Sequence, residues 1–386
     1  WKSWSSVWID SPPADDRRHA RRRRGPLLHY GGMGPHRPKL GLSVADLFCG
    51  AGGISEGFAA AGYEVVYGVD ADENAVETFH ANHAAAQHEL ADLTKIDRAA
   101  FRQRLRDVDV IVGGPCCQGF STGGRGRKAD WTAKNRLWSR MLLAVETARP
   151  AAFMLENVPG LVQHGDGTLR GKMVGAFEKL GYRTTTAILL AADYGVPQLR
   201  RRVIVVGLRG RRSAPFEWPD APYLGGWRRD TQALWEKRRI EQRKHRHLTV
   251  QDAIGDLPVI RAGSPGTAER PYDERRPVSA YAKLMRAGSD SVRDHQVKVL
   301  SAAHRELIAH VPAGGTWRDI PPHFRPARFA GGMAPTDSTN LLGRLHLQRP
   351  GYTITTMFDN VTCGCFTHPT QNRGLSIREA ARFQSF

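Results

Sequence analysis

Two cysteines stand together in the run Gly113-Gly-Pro-Cys-Cys-Gln-Gly-Phe-Ser121. The run follows the apolar segment Asp109–Val112, which reads as a strand, so the thiols fall in a Gly/Pro-rich loop at that strand's carboxyl end. Open α/β sheets collect their ligands and chemistry at that edge. A thiol held there can act as a nucleophile, although cysteines are more commonly buried structural residues. The next strand, Ala152–Leu155, leads into Glu156-Asn-Val-Pro-Gly160. Neighbouring strand ends lie side by side, so Glu156 can stand across a pocket from the cysteines and give a proton or a hydrogen bond. Taken alone it would read as a helix cap or a surface residue. Upstream, Asp46-Leu-Phe-Cys-Gly-Ala-Gly-Gly53 is a strand feeding a glycine turn that opens a helix. Glycines admit close approach of a ligand to the backbone, and the helix start supplies N–H donors. Ser55 stands where a pyrophosphate-binding Gly-x-Gly-x-x-Gly would need its third glycine. Asp70 ends the next strand, where one carboxylate can accept both hydroxyls of a ribose, so the turn fits a nucleoside. Finally, Gln198-Leu-Arg-Arg-Arg202 leads into the strand Val203–Val206, with Arg200 and Arg202 on one face and Arg201 on the other.

The elements that must position these groups alternate. Strands are expected at 43–48, 64–69, 109–112, 152–155, 184–190 and 203–206. Helices are expected at 54–61, 73–82, 101–106, 137–148 and 173–180. That order argues a parallel, doubly wound α/β sheet. After Gly207 the alternation stops, and residues 208–246 become rich in Arg, Trp and Pro. Three regions follow: a basic tail over 1–40, a catalytic domain over 41–208, and a smaller irregular domain over 209–386. The tail carries Arg17, Arg18 and Arg21–Arg24 without an apolar period, and it reads as disordered. It is either a functional arm or a translated upstream stretch before Met33.

The whole chain of 386 residues carries a formal net charge of +18. Such an excess points to a polyanionic partner, nucleic acid first. Five cysteines in a chain of this length do not make a secreted disulfide framework, and a reducing compartment is favoured. No apolar run reaches the length of a membrane span. Cys363 and Cys365 are too few for a zinc site, and no metal is expected.

In this order, Asp46–Gly53, Asp70, Gly113–Ser121, Glu156-Asn-Val158 and Gln198-x-Arg-x-Arg202 resemble the DNA cytosine-5 methyltransferases. The late block Asn372-Arg-Gly-Leu-Ser-Ile-Arg-Glu-Ala-Ala-Arg-Phe-Gln-Ser-Phe386 matches as well. The resemblance spans 43–386 apart from a variable middle. It implies a Rossmann-like S-adenosylmethionine-dependent domain with a smaller target-recognition domain. Phe48, Gly50 and Gly52 would line the S-adenosylmethionine pocket, Asp70 would hold the ribose, and Asp92 would bond the adenine amino group. Cys117 would be the nucleophile and Glu156 would contact the cytosine ring nitrogen. Asn157 would order the loop, and Arg202 would contact the cytosine carbonyl with Arg200 nearby. Gln118 and Ser121 would be further substrate-binding residues, and the Arg378–Arg382 stretch would organise the target-recognition domain.

The implied reaction is methylation of cytosine at carbon 5 in a specific double-stranded DNA sequence, by base flipping and covalent attack at carbon 6. A monomeric bacterial modification enzyme of the cytoplasm, associated with the nucleoid, is expected, with a separately encoded restriction endonuclease as possible counterpart. The alternatives are a transfer-RNA cytosine methyltransferase, since a related branch shares the cysteine and Glu-Asn-Val blocks, and a catalytically impaired DNA-binding fragment. Three departures bear on this. Cys116 stands where the family commonly has Pro or Ser. Ala71 stands where many members carry a bulky residue against the adenine. The family's final Asn-containing block does not appear before Phe386, so a C-terminally incomplete chain with weak cofactor binding is expected.

Overall fold

The computed structural model describes residues 40–115, 137–163, 168–210, 214–225, 238–240, 242, 244–261, 264–327 and 340–386. The chain divides into two compact units, one of Trp1–Leu189 with Arg202–Trp218 and one of Leu190–Arg201 with Pro219–Phe386.

The first unit opens with β1 (Ser43–Leu47), α1 (Gly53–Ala60), β2 (Glu64–Asp70) and α2 (Glu73–Asn82). It continues with β3 (Gln87–Leu90), α3 (Arg98–Arg104), β4 (Val110–Gly113), α4 (Leu137–Ala148) and β5 (Ala152–Asn157). A single helical turn at Gly160–Gln163 precedes α5 (Thr168–Lys179) and β6 (Tyr182–Leu190). After β7 (Gln198–Leu199), the strand β8 (Arg201–Arg209) returns to the sheet. The seven strands lie in the order β3-β2-β1-β4-β5-β8-β6.

Alternate residues decide the layers. Leu47, Val69, Ile111, Phe153, Leu155 and Val205 pack with Phe101 of α3, Met141 and Val145 of α4, and Phe177 of α5. The intervening Val44, Val110 and Val112 meet Ile54 and Phe58 of α1. A sheet apolar on both faces must be covered on both, which gives the doubly wound form. Close packing demands glycine at two strand positions. A Cβ on Gly68 would come within 2.3 Å of the Phe79 ring, and one on Gly207 within 2.0 Å of Phe153. The caps are local: Asp72 accepts the Ala75 amide at the start of α2, and Asp97 accepts the Ala100 amide at the start of α3.

One expectation is corrected. The sheet is not wholly parallel, because β8 pairs antiparallel to β5 across Ala152–Asn157. Only residues 191–200 separate β6 from β8, too short a link for the helical crossover that parallel pairing needs.

The second unit contains α6 (Val250–Ile254), the antiparallel pair β9 (Gly266–Pro271) and β10 (Ser291–Gln296), and α7 (Ala280–Met285). α8 (Ala302–Ala309), β11 (Gly351–Tyr352) and α9 (Ile377–Arg382) complete it, with β11 parallel to β7. Its interior is fastened by buried arginines. Arg344 donates to the carbonyls of Ile308, Val311, His368 and Gln371 and to Asn372 Oδ1. Arg373 forks onto both oxygens of Glu379 at 2.8 and 2.7 Å, and Glu379 also closes a capping box with Ser376. Arg382 reaches Asp256 at 3.5 Å, and Arg378 reaches the Arg293 carbonyl at 2.9 Å.

Candidate active site

In the first unit, β1 lies between β2 and β4, so the strand order reverses beside it. Ligands of open α/β sheets bind at that switch, off the carboxyl ends of the strands. The backbone there is unusual. Phe48 adopts φ 64, and Gly50 and Gly52 follow at φ 54 and 90. A left-handed phenylalanine is uncommon, and such conformations concentrate at ligand sites. A Cβ on Gly50 would meet no atom within 4 Å, so the turn presents bare backbone to open space.

Asp70, at the end of β2, fastens this turn. Its Oδ2 accepts the Gly50 amide at 3.0 Å, and its Oδ1 accepts the Asp72 amide at 3.1 Å. Each carboxylate oxygen has further lone-pair capacity for a ligand hydroxyl. On the adjoining strand end, the Asp92 Oδ1 accepts the Thr94 hydroxyl at 2.7 Å and the Thr94 amide at 2.9 Å. These bonds hold the Asp92 carboxyl below the usual range.

On the other side of the switch, Pro115 follows β4 and is the last described residue before the cysteine loop. Cys117, Gln118 and Ser121 lie outside the described residues, as does Cys116. Asn157 donates from Nδ2 to the Pro115 carbonyl at 3.0 Å, and its own Oδ1 accepts the Val158 amide at 2.8 Å. Glu156 is the next-to-last residue of β5, its Oε1 2.7 Å from Arg202 Nε, with the two side chains 24% and 21% exposed. A Cβ on Gly114 would lie 3.3 Å from Glu156 Oε2, which puts the carboxylate against the chain just before the cysteines. The antiparallel return of β8 is what delivers Arg202: Asn157 pairs with Val203, the residue after it. Arg200 lies between β7 and β8 in the segment that belongs to the second unit, and its carbonyl accepts the Ala191 amide.

The structure therefore brings Phe48, Gly50, Gly52, Asp70 and Asp92 to consecutive strand ends of one sheet edge, and Glu156, Asn157 and Arg202 to the neighbouring ones. Three contributors were not singled out in the sequence. Asp46 on β1 is 0% exposed; its Oδ2 accepts the Ser55 hydroxyl at 2.7 Å and its Oδ1 has no hydrogen-bond partner among the described residues. Burial pushes its carboxyl up to about 7, with the nearby Asp70 adding to the rise and the Ser55 bonds opposing it. The signal was a lone acid in an otherwise apolar strand. Asn82 and His83 are the others, at the end of α2, where nothing in the sequence distinguished them from an ordinary helix terminus. Among the described residues no group of three or more His, Cys, Asp or Glu could hold a metal ion, and no helix is long and apolar enough to cross a membrane.

Known proteins share this chain's sequence pattern and fold. Residues 42–386 match the family described as C-5 cytosine-specific DNA methylase. The chain is 32% identical to the type II methyltransferase M.AgeI of Thalassovita gelatinovora, over 89% of this chain and 91% of that protein. It is 30% identical to the type II methyltransferase M1.HphI of Haemophilus parahaemolyticus, over 90% of this chain and 78% of that one. Among solved structures, an E. coli prophage-encoded protein assigned as a DNA modification methyltransferase superposes with a TM-score of 0.62. That match covers 89% of this chain and 88% of that one at 23% identity, a likeness of fold. Motif order, sheet topology and the match across residues 42–386 lead to one assignment: this chain belongs to the C-5 cytosine-specific DNA methylases.

Proposed function

We propose that this chain moves the methyl group of S-adenosylmethionine to carbon 5 of a cytosine within a specific double-stranded DNA sequence. The observation that carries the reading is the Glu156–Arg202 pair at 2.7 Å, set against Gly114 on the chain that leads to Cys117. Carbon 5 of cytosine is a weak nucleophile. Addition of the Cys117 thiolate to carbon 6 forms a carbon–sulfur bond and pushes electron density toward carbon 5. The same addition builds negative charge toward the ring nitrogen and carbonyl. Glu156 would meet it at the nitrogen, by a proton or a hydrogen bond, and Arg202 at the carbonyl. Arg200, Gln118 and Ser121 would complete the substrate contacts, and Asn157 would hold the cysteine loop through Pro115. When bound, S-adenosylmethionine supplies an electrophilic methyl on a sulfonium. The open glycine turn with Phe48, Gly50 and Gly52 fits its methionine and nucleoside portions, Asp70 fits the ribose, and Asp92 fits the adenine amino group. Carbon 5 takes the methyl, leaving the sulfonium as a neutral thioether; a base then removes the carbon 5 proton, the electron pair expels sulfur with regeneration of the Cys117 thiolate, and any proton lent to the ring nitrogen returns to Glu156.

The reacting carbons lie inside the base stack, so the cytosine must leave the helix. The irregular second unit would serve as the target-recognition domain, with basic residues giving phosphate affinity. The type II relatives support a bacterial modification role on DNA; a monomeric enzyme of the cytoplasm, with a separately encoded endonuclease as counterpart, completes the proposal. Bisulfite sequencing of DNA from cells expressing the whole gene product that carries this chain tests the reading. Protected cytosines in one sequence context, absent with Cys117→Ser, are expected. Unprotected DNA from cells holding soluble protein would overturn it.

A further inference from the structure

We infer that Asn82 and His83, at the carboxyl end of α2, are positioning residues that fix the glycine turn and thereby set affinity for the co-substrate. The inference rests on the proposed reading of that turn as the S-adenosylmethionine cradle. The two side chains take hold of consecutive carbonyls. Asn82 Nδ2 donates to the Ala51 oxygen at 3.2 Å, and His83 Nε2 lies 3.3 Å from the Gly52 oxygen. A carbonyl only accepts, so His83 must carry its proton on Nε2. The ring is packed as well as bonded: it is 9% exposed, and a Cβ on Gly52 would lie 2.8 Å from it. Its centroid lies 5.0 Å from that of Phe79, the fully buried residue that also fills the space over Gly68.

The consequence follows from the planarity of the peptide group. In a trans peptide the N–H points opposite to the preceding C=O. The Gly52 carbonyl already accepts the Glu56 amide at 2.8 Å, and His83 adds a second, longer contact that braces it on the α2 side; together they aim the Gly53 amide to the opposite side. Gly53 opens α1, and the first amides of a helix have no intrahelical acceptor. In the same way the Ala51 carbonyl sets the Gly52 amide, which donates to the Cys49 oxygen at 2.9 Å and closes the turn. With Gly50 tied to Asp70, three side chains from β2 and α2 fix the shape of the turn, and glycines cannot hold such a shape unaided. Asp70 is placed to touch a ligand directly, whereas Asn82 and His83 act behind the backbone.

The test separates the ring's volume from its donor. His83→Phe fills the space without a donor, and His83→Gln returns an N–H at similar reach. Calorimetry with S-adenosylmethionine and steady-state kinetics are run on the whole chain for each. Losing one net hydrogen bond predicts a Kd and a KM for the co-substrate raised about three- to tenfold in His83→Phe. The kcat at saturating co-substrate and the Kd for DNA should stay within about twofold, and His83→Gln should recover most of the affinity. Asn82→Ala should show the same split, and amide exchange across residues 50–54 should quicken in both variants without ligand. Unchanged affinity in His83→Phe, a matching fall in kcat and DNA binding, or no recovery in His83→Gln would each overturn the inference. Folded wild-type protein that binds no S-adenosylmethionine would instead overturn the proposed function beneath it.

Discussion

Replacing Glu156 by Gln separates chemistry from architecture at this site. The carboxylate is paired to Arg202 at 2.7 Å, with both side chains largely buried. At that distance and an effective dielectric of about 20, the gross attraction is about 6 kcal/mol. Desolvation of both ions offsets most of it, leaving about 1–3 kcal/mol for a charge-assisted hydrogen bond. Glutamine keeps an oxygen that still accepts from the guanidinium, so the loss of stability should be about 1 kcal/mol, a fall of roughly 2–4 °C in Tm. Help to a reacting ring nitrogen is of another size, typically 10²- to 10⁴-fold in rate, or about 3–5 kcal/mol of barrier. Single-turnover transfer of a labelled methyl group should therefore slow at least about a hundredfold. DNA affinity by gel shift should move less than about threefold, because this interaction strengthens only as the thiolate adds. Arg202→Met completes the cycle. Because Arg202 both holds Glu156 and would meet the carbonyl, the double variant should be slower than Glu156→Gln alone but by less than the product of the two single losses. Equal losses of binding and rate in Glu156→Gln would refute the reasoning, because they would make the pair a structural tie. Fully multiplicative losses in the double variant would refute the coupling between the two side chains.

Cys117→Ser should abolish methyl transfer while Cys116→Pro retains it, and trapping on DNA containing 5-fluorocytosine should map the adduct to Cys117; an adduct at Cys116 would reverse the assignment. Asp46 is pushed up to about 7 by burial, so the folded state holds a proton that the unfolded state releases near 4. Its stabilising effect is complete below the unfolded value and is lost as pH rises through about 7, on the order of 4 kcal/mol in all. Asp46→Asn should thus be more stable than wild type at pH 8 and closer to it at pH 5 in urea titrations, and parallel pH profiles would count against it. Arg344→Lys keeps the charge but cannot reach five acceptors with three donors, so it should destabilise the second unit by about 3 kcal/mol or more, read as a lower urea midpoint. Neutralising Arg238, Arg239 and Arg243 together should weaken DNA binding across sequences and flatten its salt dependence, whereas a changed target sequence at constant slope would make them base readers.

The strands with an apolar period were legible, and so was the turn that follows β1, because glycine spacing and burial are local properties of the sequence. β3 was not. Gln87-His-Glu-Leu90 has no apolar face, and it becomes a strand because its backbone pairs with Tyr67–Asp70. Its Glu89 takes the Tyr67 hydroxyl at 2.6 Å and both arms of Arg104 at 2.5 and 2.6 Å, contacts that depend on the fold. The direction of β8 was hidden for a related reason. An apolar run states burial, while the length of the link before it states direction, and the link from β6 was the overlooked quantity. Asp70 and Glu156 could be placed at strand ends from their position after apolar runs. Asn82 and His83 could not be placed, because a clamp on backbone carbonyls needs only a donor at the right point in space and leaves no spacing pattern.

Charge needs the same care, because a net charge of +18 is not the charge presented to DNA. Arg344 is 5% exposed and is held by four carbonyls and an amide oxygen, with no carboxylate among those partners. It adds to the formal total yet is spent on the interior of the second unit, where burial lowers its pKa. Arg373 is buried too but is opposed by Glu379, so that pair is neutral in total and in effect, whereas buried Arg382 shares Asp256 at 3.5 Å with Arg286 at 2.8 Å. The phosphate-binding charge must therefore come from exposed side chains, and it is smaller than the composition suggests. Counterion release counts only cations that approach phosphates, so the salt slope should follow the exposed arginines. Substituting Arg344 should damage stability while leaving the salt slope of the folded fraction unchanged. The arginines thus divide by burial into those that build the second unit and those that can meet a polyanion, a distinction that the sequence total cannot draw.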